Sequence, residues 1–127
     1  MKNISSKKAP QAIGAYSQAI IADRFLFASG QIPIDPATGK VVEAAIEAQA
    51  RRVMENIKAI LDEAGYTFAD VVKTTCFLKD MKDFETFNAV YAQYFTGRPA
   101  RSCVAVCEIP KDVLCEVEIT AYKVKLS

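Results

Sequence analysis

The 127-residue chain contains no histidine and no tryptophan. Without an imidazole there is no Ser-His-Asp or Cys-His nucleophile system, no His-ligated zinc and no His general base. No apolar run approaches the roughly 18 residues that span a bilayer. Lys and Arg number 16 against 15 Asp and Glu, a net charge of +1. General attraction to nucleic acid or to an anionic membrane is therefore missing. Lys7 and Lys8 are too few for a nucleic-acid patch, and the aromatics are not interleaved with basic residues. The opening Met1 to Lys8 has no apolar core behind its lysines and does not read as a secretory signal. The expected compartment is the reducing cytoplasm.

What is present is an ordinary globular mixture, 51% hydrophobic and 24% charged. The length fits one domain over residues 1–127, large enough to bury about two-thirds of its unfolded surface without a disulfide or metal staple. Residues 1–9 are polar and are expected to be mobile until Pro10. The four cysteines are read as free thiols, because nothing suggests export. Cys103 and Cys107 would lie about 13 Å apart on a strand, too far to bridge. Cys76, Cys107 and Cys115 read as small buried hydrophobes.

Patterning predicts the order ββ-α-β-α-ββ. Tyr16–Ile21 and Phe25–Ser29 read as strands of a hairpin around Ala22-Asp23-Arg24, followed by a long irregular connection over Gly30–Gly39. Ile46, Ala50, Val53, Ile57, Ile60, Leu61 and Ala64 recur at steps of three and four, a helix over Glu43–Ala64 with Gly65 at its C-cap. Val71–Leu78 reads as a buried strand. Asp80 or Asp83 caps a second helix over Phe84–Phe95, with Phe84, Phe87, Tyr91 and Phe95 as its apolar stripe. Asn88 is the odd member of that face, because a buried amide must find partners. Arg101–Ile109 and Leu114–Val124 read as the last hairpin, turning at Pro110-Lys111-Asp112. This is an α+β domain, one sheet with both helices on one face. The bare face points to an oligomer.

Two groups stand out chemically. Arg101 opens a strand among apolar residues, where its fork suits a carboxylate; a strand-end arginine or a structural ion pair would look the same. Glu116 and Glu118 share one strand face about 7 Å apart. They suit water positioning, with Lys123 as a possible base partner, or an ordinary polar sheet face. A hairpin centred on Lys111 would put Arg101 and Glu116 on opposite faces. A register shift, or a site between subunits, would bring them together. Glycines beside hydroxyls, at Gly14-Ala15-Tyr16-Ser17 and Ser29-Gly30, let a ligand approach backbone N–H groups.

The segments Ile13-Gly14-Ala15-Tyr16-Ser17-Gln18-Ala19, Ala28-Ser29-Gly30-Gln31-Ile32-Pro33, Asp35-Pro36-Ala37-Thr38-Gly39, Pro99-Ala100-Arg101-Ser102-Cys103-Val104, Ile109-Pro110-Lys111-Asp112 and Glu116-Val117-Glu118-Ile119 occur in that order. Together they span nearly the whole chain and resemble the RidA (YjgF) family. The resemblance implies a chorismate-mutase-like α+β fold and a homotrimer, with a barrel-like core of three sheets and clefts between subunits. It implies hydrolysis of 2-iminobutanoate and 2-iminopropanoate, formed from 2-aminocrotonate and 2-aminoacrylate, to 2-oxo acids and ammonia. Pyridoxal-phosphate-dependent serine and threonine dehydratases release those enamines. No metal or organic cofactor is implied.

By the same resemblance Arg101 holds the substrate carboxylate and Glu116 orients the attacking water. Cys103 lines the pocket through its backbone, and Tyr16, Ser29, Gly30 and Asn88 complete it. Two departures from the family pattern are visible: the short Thr96-Gly97-Arg98 connection before Arg101, which bears on substrate size, and Ala15 where proline is common. A non-catalytic carboxylate-binding regulator would use the same arginine but gain nothing from Glu116. A ribonuclease or translation inhibitor fits the charge and the missing histidine less well. Chorismate-mutase activity would rest on fold alone.

Overall fold

The computed structural model describes residues 1–124; the last three positions of the expected domain lie outside the described residues. The chain forms β1 (Lys2–Ile4), β2 (Ala19–Ala22), β3 (Phe25–Gln31), β4 (Ile34–Asp35), β5 (Lys40–Val41), α1 (Ile46–Ala64), β6 (Val71–Leu78), α2 (Phe84–Tyr94), β7 (Ala100–Ala105) and β8 (Cys115–Tyr122). Six strands make one mixed sheet in the order β1-β2-β3-β8-β6-β7; β4 and β5 form a separate small hairpin. Among the described strands only β6 and β7 run parallel, joined through α2. Among the described residues no helix is long and apolar enough to cross a membrane.

Both helices pack on one sheet face, as the pattern predicts. Leu26, Cys76, Leu78, Val117 and Ala121 point into that layer and are fully buried, against Ala50, Val53, Ile57, Ile60 and Phe87 of the helices. α1 starts at Ile46, three residues later than predicted, because Ala45 is extended (φ −129°, ψ 129°). It ends as predicted at Gly65 (φ 79°), whose N–H reaches Asp62 O while Tyr66 N–H donates to Leu61 O at 2.9 Å. Two buried amides on α1 hold loops: Asn56 donates to Ile32 O (3.2 Å) and Ile34 O (3.0 Å), and Gln49 accepts Leu114 N–H (2.8 Å).

Several expectations are corrected. Residues 1–9 are built into the domain: β1 pairs with β2, Ile4 and Ser6 are buried, and Ala9 is fully so. The buried Gln18 amide accepts Ser6 N–H (2.6 Å) and donates to Pro10 O (2.7 Å), fastening this segment. That leaves residues 16–18 outside β2, which begins at Ala19. The connection after Gly30 is not wholly irregular, since it carries the β4–β5 hairpin. Cys107 is exposed, not buried. β7 stops at Ala105, and it does not form a hairpin with β8. β6 lies between them, paired with both. The connecting residues instead close over the end of β6, where Val106 N–H donates to Leu78 O and Lys79 N–H to Leu114 O, each at 3.0 Å.

The other sheet face is uncovered in the single chain. Phe27 is 48% exposed. Phe25 stacks on it with ring centroids 5.8 Å apart and meets Tyr122 at 4.8 Å.

Candidate active site

Strand register decides where the two charged candidates point. Arg101 pairs with Thr74, which in turn pairs with Ile119, so Arg101 faces the helices. Cys103, two residues on, faces the same way opposite Cys76. Glu116 pairs with Phe77 and lies on the uncovered face. Arg101 and Glu116 are thus on opposite faces, through the intervening β6 and not through a β7–β8 hairpin. Within one chain they form two separate clusters.

The first cluster is built on β7 and α2. The Arg101 guanidinium donates from Nη1 to Asn88 Oδ1 at 2.6 Å. Its Cζ stands 4.7 Å from the centre of the Tyr91 ring and 5.5 Å from that of Phe84. Asn88, predicted to need a partner, has found this one. An open cleft of about 700 Å³ lies alongside, lined by Asn88, Tyr91, Thr96, Arg98, Pro99 and Arg101 among others, and among the described residues no carboxylate lines it. The ion pairs among the described residues, Lys58–Asp62 and Lys79–Asp112, leave Arg101 without an anionic partner. The short 96–98 connection forms the rim of this cleft, and Arg98 sits in the left-handed region there (φ 55°).

Burial pushes the Cys76 and Cys115 thiols up to about 12. Burial also raises the Cys103 thiol, an effect Arg101 opposes. Among the described residues no three His, Cys, Asp or Glu side chains gather to hold a metal.

The second cluster is built on β3 and β8. The ladder between them slips by one residue between Ala28 and Gln31, which places Ser29 and Gly30 in a bulge. The Glu116 side chain lies directly over Gly30. A Cβ there would overlap Glu116 Oε2 and stand 2.9 Å from its Cδ. The close approach, and not the backbone conformation, calls for glycine here, because its φ lies outside the left-handed region. Burial, reinforced by Glu118, raises the Glu116 carboxyl above its ordinary value. Ser29 donates from Oγ to Ser17 O at 2.6 Å, tying the bulge to the loop that carries the exposed Tyr16.

Arg101, Asn88 and Cys103 therefore gather on one side, and Glu116, Gly30, Ser29 and the Tyr16 loop on the other. Sequence reasoning assigned Tyr91 and Phe84 to the core and missed their place beneath the guanidinium. The available signal was an asparagine inside an aromatic stripe. The Glu116–Gly30 contact left no such signal, because the bulge creates it.

The family model described as Endoribonuclease L-PSP matches residues 6–123. A RutC family protein of Pyrococcus horikoshii is 57% identical over 121 residues, 94% of this chain and 96% of that protein. The chain belongs to the RidA family. A Salmonella typhimurium relative named 2-iminobutanoate/2-iminopropanoate deaminase is 48% identical over 126 residues, covering 96% of this chain and 98% of its own. The crystal structure of Escherichia coli TdcF with bound serine superposes with a TM-score of 0.92 at 43% identity, over 97% of this chain and 99% of that one. The RidA-like α+β architecture is thereby shared across nearly the full length.

Proposed function

We propose that this RidA-family chain is a 2-iminobutanoate/2-iminopropanoate deaminase, hydrolysing short 2-imino acids to 2-oxo acids and ammonia. The observation that carries the reading is Arg101. Its guanidinium is held by Asn88 and two rings beside a cleft, and among the described residues no carboxylate lines that cleft or neutralises it. Such a group is prepared for a ligand's carboxylate. The name of the Salmonella relative and the serine bound to TdcF point the same way.

Protonated imines are electrophilic, so the chemistry needs little beyond a held substrate, a placed water and a proton carrier. Arg101 binds the carboxylate. Water adds to C2 of the iminium, and Glu116 accepts a proton from it. The resulting carbinolamine takes that proton on nitrogen and expels ammonia as its hydroxyl proton passes to Glu116, leaving the C2 carbonyl; ammonia then carries that proton away as ammonium. The raised carboxyl of Glu116 brings it closer to the working pH, as proton exchange requires. Backbone at Cys103, with Tyr16, Ser29, Gly30 and Asn88, completes the pocket. No step calls on a metal or organic cofactor.

Because Arg101 and Glu116 lie on opposite sheet faces of one chain, each site in this reading takes one of them from each of two protomers, and the family resemblance makes that assembly a homotrimer. The exposed Phe25 and Phe27, with the half-buried Tyr122 against Phe25, support burial of the open sheet face as a barrel-like core. Substrate comes from enamines released by pyridoxal-phosphate-dependent serine and threonine dehydratases, and the cytoplasm is the proposed compartment. Phosphodiester cleavage is supported less well, given a net charge of +1 and no histidine.

The test couples a threonine dehydratase to the protein in the presence of semicarbazide, which traps the imine. Faster 2-oxobutanoate release with less trapped product, abolished by Arg101→Ala, is the expected result. No acceleration by folded protein would overturn the reading.

A further inference from the structure

Resting on the reading that Arg101 takes a carboxylate, we infer that Tyr91 is a positioning residue for that guanidinium, fixed in turn by Thr74. Three side chains of α2 meet Arg101, at positions 84, 88 and 91, which share one helix face. Asn88 engages one of the five guanidinium N–H donors; the rings of Phe84 and Tyr91 engage its face and leave donors free. Tyr91 is the nearer ring, and its hydroxyl shares a 2.7 Å hydrogen bond with Thr74 Oγ1 in the core. Thr74 is fully buried and is the residue paired across the sheet with Arg101. The contacts close a circuit: Arg101 backbone to Thr74, Thr74 hydroxyl to Tyr91, Tyr91 ring to the Arg101 guanidinium.

Packing alone does not call for this circuit. Valine and phenylalanine have nearly the same shapes as threonine and tyrosine, and replacing both partners of a buried hydrogen bond by such isosteres is close to neutral for stability. What the two hydroxyls add is a single ring position under a long cationic side chain. The guanidinium is then already placed when the ligand arrives, so less freedom is lost on binding.

Two variants test this, Tyr91→Leu and the isosteric double Thr74→Val/Tyr91→Phe, by deaminase kinetics, by calorimetric titration with 2-oxobutanoate and by 15N NMR of the Arg101 Nε–Hε group. Removing the ring should weaken KM and Kd about tenfold with little change in kcat, the scale of a cation–π contact. The isosteric pair should weaken them less while leaving Tm unchanged. In an Arg101→Ala background Tyr91→Leu should add nothing, a non-additivity that a merely structural role would not produce. The Arg101 Nε–Hε signal should be ring-shifted in the wild type and lose that shift in Tyr91→Leu.

Unchanged Kd in folded Tyr91→Leu, or an equal further loss in the Arg101→Ala background, would overturn the inference. An unshifted Arg101 signal in the wild type would overturn it independently of any activity. A protein that binds 2-oxobutanoate through this circuit yet leaves imines untouched would uphold the inference and refute the deaminase reading.

Discussion

Gly30→Ala should separate activity from stability. The φ of Gly30 lies outside the left-handed region, so alanine can take the same backbone conformation. The whole consequence falls on Glu116, because the new Cβ would overlap Oε2 and sit 2.9 Å from Cδ and 3.2 Å from Cγ. Carbon atoms settle at about 3.5–4.0 Å, so the carboxylate must retreat by about 1 Å. The obstruction is the end of a flexible side chain, which can swing away. The fold should hold, helped by the ~0.4–1 kcal/mol that alanine gains over glycine through the unfolded chain. A 1 Å displacement of a reacting group costs about a hundredfold in rate. Coupled dehydratase assays should show kcat reduced on that scale, and thermal denaturation a Tm within a few degrees of wild type. Wild-type kcat in folded Gly30→Ala would refute the placement of Glu116 over Gly30 in the working enzyme.

Other outcomes follow from burial and charge. The Glu116 carboxyl is raised above 4.5 in the folded state, so the native protein binds this proton more tightly than the unfolded chain. That contribution is fully present below 4.5 and is lost as pH rises through the raised value. Glu116→Gln should therefore gain stability over wild type towards neutral pH and not at acid pH, as urea titrations between pH 4 and 8 would show; a pH-independent difference would contradict it. Asn56→Leu removes the fully buried amide that donates to the carbonyls of Ile32 and Ile34, the first of which keeps only its bond from Ile34 N–H. It should cost about 3 kcal/mol in urea denaturation, and a loss below about 0.5 kcal/mol would contradict the bridging role. Alkylation of native protein at pH 8 should reach the exposed Cys107 first and spare Cys76 and Cys115 until unfolding, as peptide mass mapping would report.

Local periodicity made both helices, β3 and β6 legible, because each carries its burial pattern within a few residues. The Gly65 cap was legible for the same reason. β1 was not, since Lys2–Ile4 is held by a partner strand 15 or more residues away and by the buried Gln18 amide, neither of which leaves a local pattern. The last two strands misled because a turn at Pro110-Lys111-Asp112 resembles a hairpin turn. Only tertiary packing inserts β6 between them. Arg101 and Glu116 stood out as chemistry from composition, and their opposite faces followed from strand alternation once the order was known. The support beneath Arg101 stayed hidden because Phe84 and Tyr91 also serve as core, and one helix face cannot announce both duties.

The composite site is tested most directly by subunit mixing. Arg101→Ala and Glu116→Gln proteins, each inactive alone, are unfolded together in equal amounts, refolded and assayed. If each site takes its arginine from one protomer and its glutamate from a neighbour, random reassembly restores about a quarter of wild-type activity. If both groups must come from the same protomer, no mixed assembly contains an intact site, and activity stays at the level of the separate variants.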